Sequence, residues 1–128
     1  MSRGFSMLEL IVVMLILAVI SVMAAQSYLR LLGKARDQGL RAAVGTIRAA
    51  VAIHYARSAA RGQPKYPSIT PVLFLGKYVP DDIYTPTSNV KTVTNIPIQP
   101  EDFDDNGGWV YNPVTGEVRV DLPGKHNY

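Results

Sequence analysis

Hydrophobic and polar positions divide the chain into three stretches with different periods. Residues 10–29 carry no charge, and up to Ala25 the only polar residue is Ser21. Every face of such a helix is apolar, and about 20 residues of it cross the hydrocarbon core of a bilayer. From residue 30 the pattern takes on a helical period. Leu32, Leu40, Val44, Ile47, Val51 and Tyr55 recur near spacings of three and four, interleaved with Arg30, Lys34, Arg36, Arg41, Arg48 and Arg57. This predicts an amphipathic helix with one packing face and one basic face. All nine prolines lie at or after Pro64, so nothing before it must break a helix. One helix from Phe5 to about Arg61 is therefore expected, roughly 85 Å long at about 1.5 Å per residue. Gly33, Gly39 and Gly45 lie within it as soft points or close-packing points, and Gly62 with Pro64 forms the stop.

The remaining stretch reads in period 2. Trp109-Val110-Tyr111-Asn112 and Glu117-Val118-Arg119-Val120-Asp121 alternate across Pro113-Val114-Thr115-Gly116, which predicts a β-hairpin. Val118 and Val120 should face the apolar stripe of the helix, and Trp109 and Tyr111 should share one face as core. Residues 89–98, rich in threonine and valine, suggest an edge strand ended by Pro97.

Composition sharpens this picture at three points. With 128 residues the chain has room for one ordinary core. It has no cysteine, which excludes thiol catalysis, thiolate metal sites and disulfides. Charge is segregated: residues 26–80 hold nine basic groups against Asp37 alone, a balance of +8, whereas residues 81–128 hold eight acidic and three basic groups, a balance of −5. The basic helical face invites nucleic-acid contact, but a solvated face explains it more simply. Arg30, Lys34 and Arg36 also stand where lipid headgroups attract cations.

Glu9, at the start of the apolar run, decides among three readings of the N-terminus. A secretory signal ending at Val22-Met23-Ala24, with release of a soluble binding module, fits Arg3 and the apolar run. A plain membrane anchor fits the length. Neither accounts for a carboxylate that costs about 2.5 to 3.5 kcal/mol at the centre of a membrane helix. An interfacial position, with the side chain snorkelling to the headgroups, is the lesser alternative for Glu9 even where a partner is on offer. A third reading gives it a partner.

Gly4-Phe5-Ser6-Met7-Leu8-Glu9, followed at once by the apolar helix, resembles the processing and assembly motif of type IV pilins and of type II secretion pseudopilins. The resemblance implies that a prepilin peptidase removes residues 1–4 by cutting after Gly4. Phe5 is then N-methylated, and Glu9 together with Phe5 serves assembly. It also implies an α+β, ladle-shaped pilin fold. Residues 5–29 form the transmembrane and filament-core helix, residues 30–62 the amphipathic helix, and residues 63–128 a β-rich globular region with a small antiparallel sheet. The implied partners are further copies of the chain in a helical homopolymer, the peptidase, an inner-membrane assembly platform, and membrane lipid before assembly. Nucleic acid is not expected as a partner. The implied location is the inner membrane, then an extracellular or periplasmic filament.

The physics of the motif stands apart from the resemblance. A free amine on Phe5 and the Glu9 carboxylate lie one helical turn apart in a low-dielectric setting, where each is costly alone and tolerable when paired. Glycine before the cut lets a protease approach the backbone closely. The tyrosine-proline pair Tyr66-Pro67, Leu73-Phe74-Leu75 and Tyr78-Val79-Pro80 also look like the family. Ala18 and Gln26 depart from it, replacing the glycine and proline that loosen the helix in many members. Lack of cysteine, hence of a disulfide-closed loop, leans toward a pseudopilin.

Glu101, Asp102, Asp104, Asp105 and Asn106, ahead of Gly107-Gly108, form the one metal-like cluster. Some pseudopilins hold calcium in such a loop, but the spacing is not that of an EF-hand, and a solvated acidic turn is the simpler expectation. Across a fibre this loop could also meet Arg41, Arg48 or Arg57 of another copy. No enzyme site is visible: His54 and His126 lack triad spacing and no glycine loop cradles phosphate. No cofactor and no resident metal are expected.

Overall fold

The computed structural model describes residues 6–76 and 78–128. Helix α1 (Met7–Ala60) is followed by a 3₁₀ turn at Pro71–Phe74, strand β1 (Val90–Thr92), a second 3₁₀ turn at Pro100–Asp102, and strands β2 (Trp109–Tyr111) and β3 (Val118–Val120). The class is α+β, as expected. The chain divides into two units, Met1–Ala35 and Arg36–Tyr128.

In the first unit the described residues are exposed along α1, including Met7, Leu8 and the large apolar side chains through Leu31. Its two described serines after Ser6 do not leave their hydroxyls unpaired. Ser21 Oγ donates to Leu17 O at 2.7 Å and Ser27 Oγ to Met23 O at 3.3 Å. Such bonding back along the helix removes the donor from an otherwise apolar surface.

In the second unit Leu40, Val44, Ile47 and Val51 of α1 are buried against Trp109, Tyr111, Val118 and Val120. The steps of four, three and four residues keep these side chains on one face. Of the anticipated stripe, Leu32 falls in the first unit and is 37% exposed, and Tyr55 stacks on Tyr66 with ring centroids 4.3 Å apart at the margin of the core. Of the three helical glycines only Gly39 is a close-packing point, where an added Cβ would lie 2.8 Å from Ile83 Cδ1; Gly33 and Gly45 face open space.

The helix ends as its sequence requires. Gly62, at φ +77°, donates to Ala59 O at 2.9 Å, and Gln63 N donates to Ser58 O at 3.1 Å. This is the Schellman pattern, and glycine supplies the left-handed residue without a Cβ penalty.

The sheet differs from expectation. Its order is β1-β2-β3, with β2 and β3 antiparallel but β1 parallel to β2, so the small sheet is mixed rather than antiparallel throughout. Residues 93–108 carry the chain back across the sheet, and that crossover length permits a parallel neighbour. Pro97 lies beyond the short edge strand instead of ending it. β2 is buried along its whole length. Trp109 and Tyr111 face the helix, while Val110 faces the opposite way onto Val93, Ile98 and Phe103.

Two aromatic groups fasten the loops to this core. Trp109 Nε1 donates to Pro80 O at 2.8 Å, and Tyr111 Oη donates to Pro67 O at 2.5 Å. Burial pushes the Tyr111 phenol up to about 12, with the Tyr66 phenol adding to the effect. The native state therefore favours neutral Tyr111. That contribution is complete below the ordinary tyrosine value of about 10 and is lost as pH rises toward 12. Chemical unfolding of the full chain in detergent should show stability declining between these pH values, and Tyr111→Phe should flatten the decline. An unchanged slope in the variant would assign the alkaline loss to other groups.

Candidate functional site

The N-terminal motif falls partly on described residues. Gly4 and Phe5, the expected cleavage and methylation positions, lie outside them. α1 is initiated just after: Leu10 N donates to Ser6 O at 3.1 Å, and Glu9 stands in the first turn. Backbone N–H groups there have no helical acceptor and the helix dipole is positive, so an acidic side chain is locally favoured. Glu9 is exposed and makes neither an ion pair nor a hydrogen bond among the described residues. The apolar window behind it is entirely unburied, in a helix long and apolar enough to cross a membrane. The unit thus offers one carboxylate at the head of an apolar rod, and the described residues cover neither.

The acidic loop is not assembled as a cage of hard oxygen ligands. Asp102 is buried and turned inward, accepting from Gln99 N at 2.7 Å and Asn95 Nδ2 at 2.8 Å, which closes the second 3₁₀ turn. Asp121 accepts from the backbone N–H of Asp104 and of Asp105, each at 3.0 Å. Asp104 faces Lys91 at 3.7 Å, and Asp105 meets His126 Nε2 at 2.7 Å. Among the described residues, only Asp105, Asp121 and His126 bring three possible ligand atoms within 4.8 Å of one another, a grouping that differs from the sequence cluster. Burial, reinforced by the neighbouring Asp104, raises the Asp121 carboxyl above the usual carboxylate range.

Gly107-Gly108 serve packing. Both have positive φ. A Cβ on Gly107 would strike the Thr85 hydroxyl, and one on Gly108 the Asn89 carbonyl. They let the start of β2 press against a turn organised by Asp82, whose role the sequence did not announce. Asp82 is fully buried. Its Oδ1 accepts from Tyr84 N and Thr85 N, each at 2.8 Å, and its Oδ2 accepts from Gly108 N at 2.9 Å and from the Thr85 hydroxyl. Burial alone would raise its carboxyl, but the Thr85 hydroxyl and these backbone donors outweigh that and hold it below the usual range. The available signal was an aspartate two and three residues ahead of the donors it binds, the pattern of an Asx turn.

The basic helical face is less uniform than its sequence implied. Arg48 turns inward, donating through Nε and Nη2 to Val118 O at 3.1 and 2.7 Å. The Arg41 guanidinium lies 4.6 Å from the centroid of the Tyr128 ring. Each is thus held by a contact within the second unit while the residue stays exposed.

Comparison with known proteins bears on the N-terminal unit. Residues 1–25 match the family model for the prokaryotic N-terminal methylation motif. Neither the curated proteins nor the solved structures gave a match to the chain. The motif points to a structural protein rather than an enzyme, and to processing for assembly into a pilus or pseudopilus. With a long apolar helix behind that motif and an α+β unit after it, the chain carries a prepilin-type N-terminus, consistent with a type IV pilin-like family.

Proposed function

We propose that the chain is the structural subunit of a type IV pilus or pilus-like filament. In this reading it is inserted into the inner membrane through residues 5–29, relieved of residues 1–4 by prepilin peptidase, methylated on Phe5, and polymerised through its N-terminal helix. The observation that supports it most is the methylation motif at residues 1–25 set directly on a helix whose apolar window is left unburied by the described residues. Contacts between different faces of successive copies do not close on themselves and so generate a helical fibre.

Intact mass of the membrane-extracted protein tests this reading. Loss of residues 1–4 with gain of one methyl is expected, whereas loss of residues 1–24 would mean an ordinary signal peptide and a released soluble module. Replacing Gly4 by leucine should leave an unprocessed membrane protein, since the peptidase needs a bare backbone before Phe5. A normal N-terminus on that variant would remove the motif's role.

The lack of cysteine favours a second reading, a pseudopilin of a secretion or DNA-uptake machine. Electron microscopy of sheared cells separates the two: long surface fibres containing this chain belong to a pilus.

A further inference from the structure

Among the described residues, the lysines and the arginine near the acidic part of the second unit have carboxylate partners, and His126 contacts one as well. Lys91 faces Asp104, Arg119 Nη2 meets Glu117 at 2.6 Å, Lys125 meets Asp37 at 2.5 Å, and His126 meets Asp105. Arg41 and Arg48 break this rule. They lie seven residues apart on one face of α1, and neither forms an ion pair among the described residues. Both are nonetheless held in place, Arg48 by its paired donation to Val118 O and Arg41 by the Tyr128 ring.

A cleft of about 220 Å³ lies at these two side chains, lined besides by Val44, Asn127 and Tyr128 and by no Asp or Glu side chain. Desolvation lowers the Arg48 guanidinium from its ordinary value, opposed by the nearby Glu117, which is already paired with Arg119. Both guanidiniums keep N–H groups without an acceptor among the described residues, and guanidinium N–H groups match the oxygens of carboxylate and phosphate. Because the side chains are already ordered, an anion arriving there meets part of its site preformed.

We propose that this cleft is an oxyanion-binding site, taking one phosphate or carboxylate group between the guanidiniums of Arg41 and Arg48. Surface attraction alone would not select these two residues over Arg57, which is exposed on the same helix as they are and lacks an ion-pair partner among the described residues, but does not line the cleft.

The test uses the full chain in detergent micelles, with arginine side-chain signals followed by NMR during titration with inorganic phosphate against chloride at matched ionic strength. The Nε signals of Arg41 and Arg48 should move in a saturable way and that of Arg57 should not. Arg41→Gln should weaken the response at Arg48 at least tenfold. This variant keeps the Arg48 bonds to Val118 and so should remain folded, and Arg48→Gln serves as the second variant. Absence of saturation, an equal response at Arg57, or an unchanged response in Arg41→Gln would overturn the site.

This measurement does not depend on fibre formation. A second arm, resting on the filament reading, identifies the source of the anion. If a carboxylate of a second copy fills the cleft, phosphate should reduce the yield of sheared parental fibres relative to chloride, with no such difference in Arg41→Gln. A free anion would leave the parental yield equal in the two salts.

Discussion

Asp82→Ala should lower the unfolding free energy of the full chain by about 3 to 5 kcal/mol, since it removes several buried hydrogen bonds to a charged group worth about 1.5 to 3 kcal/mol each and not fully additive. The carboxylate is fully buried and is the shared acceptor for three backbone N–H groups and the Thr85 hydroxyl. Alanine would leave those donors in a space too enclosed for water to reach freely, at about 1 to 3 kcal/mol for each buried donor left unsatisfied. Asp82→Asn keeps the volume and one acceptor oxygen but presents N–H groups to Gly108 N and the Thr85 hydroxyl, so an intermediate loss is expected.

Trp109 is the natural reporter. It is the one tryptophan of the chain, it is buried, and its indole is bonded to Pro80 beside this turn. Urea unfolding in detergent, read by its fluorescence, measures the effect. A loss below about 1 kcal/mol in Asp82→Ala would show that the turn reorganises without its carboxylate.

The acid limb gives an independent check of the same group. The native Asp82 carboxyl lies below its ordinary value, so its contribution is present above about pH 4 and is lost as pH falls through the lower native value. Asp121 acts in the opposite sense. Its raised native value means that the folded state takes up a proton first, which favours folding as pH falls toward the ordinary carboxylate range. Asp82→Asn should therefore flatten the acid loss and Asp121→Asn should steepen it.

Periodic features were legible in the sequence. The stripe Leu40, Val44, Ile47 and Val51, the Gly62 stop and the 109–120 hairpin depend on near neighbours along the chain, and side-chain spacing carries that information directly. The parallel placement of β1 was not legible, because a three-residue edge strand has too little alternation to specify direction, and its pairing depends on the path taken by residues 93–108. Gly107-Gly108 looked like part of a ligand loop because glycine beside aspartate fits either a cage or a close backbone approach. Only the position of Thr85 and Asn89 decides between these. Arg48 illustrates the same limit: a helical arginine scores as solvated until the carbonyl of a residue seventy positions away is seen to accept from it.

Glu9→Val tests the assembly segment, and its two expected effects run in opposite directions. Removing the carboxylate takes away the one charge in the apolar part of α1, so membrane insertion should equal or exceed that of the parent. Fibre yield should fall by tenfold or more. On the filament reading the cationic amine of processed Phe5 would then be buried without a counter-charge, and an uncompensated buried charge costs about 3 to 5 kcal/mol. A second explanation must be kept apart from this one. Glu9 sits in the first turn of α1, where a carboxylate stabilises the helix by about 0.3 to 1 kcal/mol through the dipole. That smaller term would fray the helix start and impair processing and assembly together, whereas loss of pairing leaves a processed subunit stranded in the membrane. Glu9→Gln refines the comparison, since it retains hydrogen bonding without charge and should assemble between parent and valine variant if pairing is ionic. Membrane fractionation, intact mass and sheared fibre yield should be measured on each variant expressed as the sole copy. Fibres at parental yield from Glu9→Val would rule out the pairing of Glu9 with an N-terminal amine and return the residue to an interfacial role at the headgroups.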